Sequence, residues 1–199
     1  MHRTIVTISR EFGSGGRSIG KLVAKALAVP YYDKDLVKKV AAETGFDEQY
    51  VEQEGEYAPS NSWLAYAFSA RGAQGAMNGM STDDFLWAVQ SGIVQKLAEK
   101  GPCVLVGRCA DFVLRDHSDC FHVFIHAGIQ ARAERIVRLY GESEDSPEKR
   151  LEDKDKTRRT YYKHYTDREW GMAQNYHLSL DSGVIGVERC ADLIVELVK

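Results

Sequence analysis

Apolar positions along this chain switch repeatedly between two periods. Five short runs rich in branched residues, at 4–9, 29–32, 103–106, 121–126 and 177–180, have the length and composition of buried strands. Longer segments with helical spacing lie between them. Ile19, Leu22, Val23, Ala26 and Leu27 recur as one helical face, and Phe85, Val89, Ile93, Val94 and Leu97 as another. Strands that alternate with amphipathic helices predict an α/β domain, a parallel sheet wrapped by helices.

Two stretches stand outside that repeat. Residues 55–80 mix Gly, Ala and Ser with Trp63, Tyr66, Phe68 and Met77, the pattern of a mobile lobe or a partner-facing surface. Residues 141–171 carry the densest charge, Lys and Arg interleaved with Asp and Glu, followed by Tyr161, Tyr162 and Tyr165. A solvated helix laced by i,i+4 ion pairs, such as Asp155 with Arg159, is the plain reading of that stretch.

Composition narrows the classes. With 199 residues, 44% hydrophobic and 28% charged, the chain suits one globular domain. A net charge of -3 provides no overall positive field for nucleic acid or an anionic membrane. The first strand-like run begins almost at Met1, with no apolar signal region before it and no span long enough for a bilayer, so the expectation is a soluble, cytoplasmic protein. Cys103, Cys109, Cys120 and Cys190 match neither a C-x-x-C pair nor a zinc knuckle and read as reduced core thiols. The histidines show no metal-site spacing.

The most informative segment follows the first strand: Glu11-Phe12-Gly13-Ser14-Gly15-Gly16-Arg17-Ser18, opening a helix. Glycines let successive backbone N–H groups turn inward, and the helix directs the positive end of its dipole at the same anion. The usual phosphate loop ends in Gly-Lys-Ser/Thr after an earlier Gly. Here Gly16-Arg17-Ser18 supplies Arg for Lys, and Glu11 stands at the earlier Gly. Either Arg17 or Lys21, one turn on, takes the place of the missing Lys. Ser18 is placed to put its hydroxyl on a magnesium ion. Gly13, Ser14, Gly15, Gly16, Arg17 and Ser18 are thus the donor-binding candidates, with a Gly-rich turn that merely packs a helix on a strand as the alternative.

A kinase must also hold its acceptor and neutralise the transferring phosphoryl, which calls for converging arginines. Arg108 follows a strand and a Gly, at the end of the sheet where such folds bind ligands. Arg132 and Arg135 share one helical face, as do Asp155 and Arg158 on the next helix. The Asp155 carboxylate suits a base or ribose and the Arg158 guanidinium a phosphate. Asp33 either caps a helix, the favoured reading, or orders the acceptor and its metal. Arg71 is placed to close on an acceptor phosphate, with an exposed loop residue as the plainer reading.

Taken together, Ile8-Ser9-Arg10-Glu11-Phe12-Gly13-Ser14-Gly15-Gly16-Arg17, Tyr31-Tyr32-Asp33-Lys34, Val106-Gly107-Arg108, Arg132-Ala133-Glu134-Arg135 and Asn175-Tyr176-His177-Leu178 resemble the cytidylate-kinase-like proteins over nearly the whole chain. The resemblance implies a single domain over 1–199, of the three-layer P-loop NTPase fold. It would have a five-stranded parallel sheet, a mobile acceptor-binding insert near 34–80 and a helical lid near 141–171. It also implies ATP with Mg2+, and CMP or dCMP as acceptor. Arg17, Arg108, Arg132, Arg135 and Arg158 would then serve catalysis, and Asp33, Arg71, Arg108, Asp155 and Arg158 would bind the acceptor. The partners would be small nucleotides, with a homo-oligomer as an option. Where true cytidylate kinases have Gly-Arg-Asp, this chain has Gly107-Arg108-Cys109. Two other readings stay open: a phosphotransferase with a different small acceptor, and a regulatory protein that binds nucleotide with little turnover.

Overall fold

In a computed structural model, which describes residues 5–44 and 80–199, five strands form one parallel sheet in the order β2-β3-β1-β4-β5. The elements are β1 (Ile5–Arg10), α1 (Gly16–Leu27), β2 (Tyr31–Tyr32), α2 (Lys34–Thr44), α3 (Thr82–Glu99), β3 (Cys103–Val106) and α4 (Ala110–Val113). Then come β4 (Cys120–His126), α5 (Ile129–Tyr140), α6 (Pro147–Thr166), a 3-10 turn (Ala173–Asn175), β5 (Leu178–Asp181), α7 (Ser182–Ile185) and α8 (Val187–Val198). Each expected strand is present, its ends shifted by a residue or two at most.

Strand alternation divides the core. Val6, Ile8, Val104, Val106, Val123 and Ile125 face α1 and α8, where Ile19, Val23, Cys190 and Ile194 complete one apolar layer. Ile5, Leu105, Cys103 and Cys120 face the other way, onto Leu36, Val37 and Val40 of α2 and Ile93, Val94 and Leu97 of α3. β1 is buried at all six residues because it has strands on both sides and helices on both faces. The polar Thr7 inside it is satisfied by its register partner: Thr7 Oγ1 lies 2.8 Å from His122 Nδ1. All four cysteines are free and buried, and burial pushes the Cys103 thiol up to about 11.

Two helical expectations need correction. On α1 the buried stripe is Ile19, Gly20, Val23 and Ala24, while Leu22 and Ala26 are exposed. Gly20 approaches the sheet closely, where a Cβ would lie 3.0 Å from Val106, and the helix seats the stripe that contains this glycine on the strands. On α6 the expected Asp155–Arg159 pair is absent. Asp155 turns inward, 1% exposed, and Arg159 stays outside near the Trp170 ring. Leu151, Asp155, Arg158, Tyr161, Tyr162 and Thr166 form a buried face, so only the outer half of α6 is a solvated charged surface. The helix starts cleanly, with Ser146 Oγ accepting the Lys149 N–H at 3.3 Å and Pro147 in the first turn. Such a cap contributes about 1 kcal/mol.

Among the described residues no helix is long and apolar enough to cross a membrane. Residues 45–79, with Arg71, lie outside the described residues.

Candidate active site

Topology brings the chemistry together at the carboxyl ends of β1 and β3. These strands are neighbours, with Ile8 opposite Val106, and the Gly107 N–H donates to the Ile8 carbonyl at 3.0 Å. The residues that follow, Arg10 and Arg108, therefore leave the sheet side by side.

Between Arg10 and Gly16 the backbone makes a tight loop. Gly13 has φ 78° and Gly15 φ 83°, a left-handed geometry that other residues adopt at a cost. Room is also short. A Cβ on Gly13 would lie 2.9 Å from the Arg132 carbonyl oxygen, and one on Gly16 would lie 2.5 Å from Arg10 Cβ. Glu11, at the position of the usual first Gly, ties the loop to β4: its N–H donates to Ile125 O at 3.0 Å, and its Oε2 accepts the Ala127 N–H at 3.2 Å. α1 begins with no side-chain cap and no acidic residue in its first turn, which leaves its positive end to an anion. In front of it is a narrow cleft of about 60 Å³ bordered by Gly13, Gly15, Gly16, Arg17 and Ser18.

Arg10, Arg135 and Arg158 border the same cleft. Arg135 on α5 donates to the Gly13 carbonyl at 3.0 Å, and burial, helped by the charge of Arg138, lowers its basicity. Arg17 is 39% exposed and holds Asp33 at 2.9 Å, with the Tyr31 hydroxyl 3.4 Å from the same Asp33 oxygen. Burial and the Asp33 charge raise the Tyr31 phenol, keeping it a proton donor at neutral pH. Lys21 lies over the Tyr31 ring at 6.0 Å and does not border the cleft. Arg17 is thus the α1 cation that faces it.

A second cleft opens beside the first, bordered by Ser9, Arg10, Gly107, Arg108, Cys109, Arg158, Tyr161, Tyr162 and Trp170. Its floor is strained, with three consecutive left-handed residues: Gly107 at φ 77°, Arg108 at 58° and Cys109 at 50°. Positive φ at the two non-glycine residues costs roughly 1 kcal/mol or more each, a strain typical of functional turns. Polar chains hold it in place. Arg108 Nη1 donates to Gln90 Oε1 at 3.2 Å, and Gln90 Nε2 donates to the Tyr161 hydroxyl at 3.2 Å. Below, buried Asp111 accepts from Ser9 Oγ at 3.1 Å and from the Tyr162 hydroxyl at 2.7 Å. Desolvation raises the Asp111 carboxyl, and the same cause raises both phenols.

The sequence of residues 5–184 matches the profile of the cytidylate kinase-like family. The chain belongs to that family. Its members are kinase-like, P-loop nucleotide-binding phosphotransferases, which places this protein among the transferases. A comparison with the curated proteins finds no match. Among solved structures, an uncharacterized protein from Eubacterium ventriosum superposes with a TM-score of 0.72 at 24% identity, covering 98% of this chain and 97% of that one. Shikimate kinase from Acinetobacter baumannii, in complex with shikimate, gives 0.53 at 13% identity over 98% and 92%. The shikimate kinase from Bacteroides thetaiotaomicron gives 0.52 at 14% over 98% and 97%. These likenesses show the fold, the P-loop kinase fold.

Within the family frame, Gly13, Gly15, Gly16, Arg17, Ser18, Arg135 and Arg158 meet at the first cleft, and Arg108 and Arg158 at the second. Three anticipated contacts have other work. Ser14 is fully buried, its hydroxyl donating to the Glu11 carbonyl at 2.9 Å and its own carbonyl accepting from Ser182 Oγ, so its side chain braces the loop. Arg132 borders neither cleft; it donates to Asp155 at 2.5 Å and to the Phe12 carbonyl at 3.3 Å. Asp155 accepts also from the Phe12 N–H at 2.7 Å and from Arg158 at 3.4 Å, so its oxygens hold the loop and α5 rather than a base or ribose. Asp33 immediately precedes α2, with its carboxylate turned to Arg17. Sequence reasoning missed Arg10, Gln90, Asp111, Tyr161, Tyr162 and Trp170. A signal existed for Arg10: it ends a strand, as Arg108 nearly does.

Proposed function

We propose that this protein transfers the γ-phosphoryl of ATP to a nucleoside monophosphate, CMP or dCMP first, giving ADP and the diphosphate. One observation carries the reading: a glycine-walled, arginine-lined cleft at a helix N-terminus adjoins a second cationic, aromatic-walled cleft, and Arg158 borders both.

The first cleft receives the donor. Backbone N–H groups at Gly15 and Gly16 and the guanidinium of Arg17 neutralise its phosphates, with Asp33 holding Arg17 in place. The second receives the acceptor: Arg108 and Arg158 bind its phosphate, while Tyr161 and Trp170 offer apolar faces to a base. An acceptor phosphate oxygen then bonds to the γ-phosphorus as the bond from that phosphorus to the β,γ-bridging oxygen breaks. The electron pair leaves on ADP, and an ionised acceptor has no proton to remove. Catalysis is positioning and charge neutralisation, without a covalent intermediate.

The residues present fit a magnesium ion that arrives with the nucleotide. Ser18 is exposed at the cleft, and among the described residues no cluster of three acidic, His or Cys groups stands ready to hold a metal alone. Ser18 would help to hold the ion, which would supply charge neutralisation to the donor phosphates. Residues near 34–80, with Arg71, serve in this reading as the acceptor-binding insert, and 141–171 as the lid. The reading also places the protein in the cytoplasm, where four free, buried thiols stay reduced.

One observation favours a second acceptor class. Cys109 replaces the carboxylate expected after Arg108, and nearby Asp111 is turned to Ser9 and Tyr162. A small non-nucleotide anion would need no base-reading carboxylate there. ADP release from ATP and magnesium, with CMP, dCMP, UMP, AMP or GMP in turn, decides between them. CMP-dependent release that Arg108→Ala abolishes supports the first reading; no stimulation of release by any of the five nucleotides overturns it.

A further inference from the structure

We propose that Arg10 is a catalytic residue, the cation that contacts the phosphoryl group as it passes from donor to acceptor. The proposal rests on the donor reading of the Gly-rich cleft and does not depend on which acceptor is used. Arg10 and Arg158 are the two residues that border both clefts among the described residues. They reach that position from different elements. Arg158 comes from α6, whose partner Asp155 holds it, and Arg10 comes from the end of β1.

The path of the Arg10 side chain is fixed by Gly16. A Cβ at residue 16 would lie 2.5 Å from Arg10 Cβ and 2.8 Å from Arg10 Cγ, so the stem runs directly against the first residue of α1. A glycine at 16 is therefore required for the passage of this arginine beneath the helix end. Arg10 is 5% exposed, unlike an ordinary strand-end arginine in water. Its sequence neighbour Glu11 is engaged by the Ala127 N–H at 3.2 Å and by Arg132 at 3.4 Å. The charge of Arg10 acts on the Tyr31 phenol together with that of Arg17. The residue itself borders the Gly-rich cleft and the cleft beside it. A buried, planar cation there gains most when charge spreads over the transferring group, the requirement for lowering the barrier.

The test compares Arg10→Met, which keeps the stem against Gly16, with Arg10→Lys, which keeps a charge. Calorimetric titration with MgATP and with MgADP gives the first readout, because only ATP carries the γ-phosphoryl. In Arg10→Met, ADP affinity is expected to stay within about threefold of the parent, while the preference for ATP over ADP falls at least about tenfold. CMP-dependent turnover is expected to fall about 100-fold or more with a small change in the KM for CMP, and Arg10→Lys to recover part of the turnover and of the ATP preference. An unchanged ATP-to-ADP preference in Arg10→Met overturns the proposal, as does an equal loss of both nucleotides, which would make Arg10 a loop brace. If the parent transfers nothing to CMP yet Arg10→Met loses its ATP preference, the acceptor reading fails and the role of Arg10 stands. If the parent binds neither nucleotide, both fail.

Discussion

Replacing Asp155 by Asn removes one negative charge from a place where three donors converge. The carboxylate is 1% exposed and accepts from the Phe12 N–H at 2.7 Å, from Arg132 at 2.5 Å and from Arg158 at 3.4 Å. Arg132 and Arg158 are each 9% exposed, so the substitution leaves two guanidinium groups in low-dielectric surroundings with reduced compensation. Breaking a buried pair from one side costs about 3–5 kcal/mol. The lower end applies here, because Asn retains one acceptor oxygen and Arg132 keeps Glu11 at 3.4 Å. For a chain of this length about 3 kcal/mol corresponds to a fall in Tm of about 6–12 °C. Urea denaturation and thermal melting measure it directly, with Asp153→Asn, an exposed site on the same helix, expected to change stability by less than about 0.5 kcal/mol. Loss of the Phe12 contact also loosens the Gly-rich loop, so MgATP affinity should fall with stability. A loss of less than about 1 kcal/mol in Asp155→Asn would mean that Asp155 does not anchor the two arginines, and would return it to the surface role its neighbours suggest.

Other outcomes follow from the same geometry. Gly16→Ala should displace Arg10 or the start of α1, costing about 1–3 kcal/mol and at least about tenfold in nucleotide affinity by calorimetry, since the added Cβ meets a side-chain stem rather than a mobile tip. Arg17→Ala should reduce turnover about 100-fold or more in a steady-state assay while shifting Tm by only a degree or two, its side chain being 39% exposed. The pH dependence has a defined sign. Burial raises the Cys103 thiol from 9.0 to about 11, so the folded form holds its proton longer than the unfolded form. The contribution is complete below about pH 9 and is lost as pH rises through 11. A Cys103→Ala variant should show a shallower fall in Tm across that window.

The sheet was legible because its strands are short, branched and bounded, and because β1, β3 and β4 are buried on both faces, which makes them nearly continuous apolar runs. The Gly-rich loop was legible for a similar reason: glycines at positive φ and at close approaches have no common substitute. What stayed hidden was the direction of polar side chains on α5 and α6. Spacing correctly put Asp155 and Arg158 on one face, but Asp155 with Arg159 fits helical spacing equally well. Only the packing of α6 against the loop and α5 selects Arg132 and Arg158 as the partners. Leu22 and Ala26 misled for the opposite reason, since apolar periodicity cannot register a helix drawn toward Gly20. Arg10 escaped notice because the chain buries it beneath a glycine six residues later, a relation that no helical or strand period encodes.

In the proposed function, two adjoining clefts pass a phosphoryl group between them. Incubation with γ-labelled ATP, magnesium and CMP, followed by separation of products, tests it most directly. Label is expected in CDP, equimolar with ADP, with little in inorganic phosphate. Label that remains in ATP or appears only in inorganic phosphate, with CMP unchanged, would contradict it.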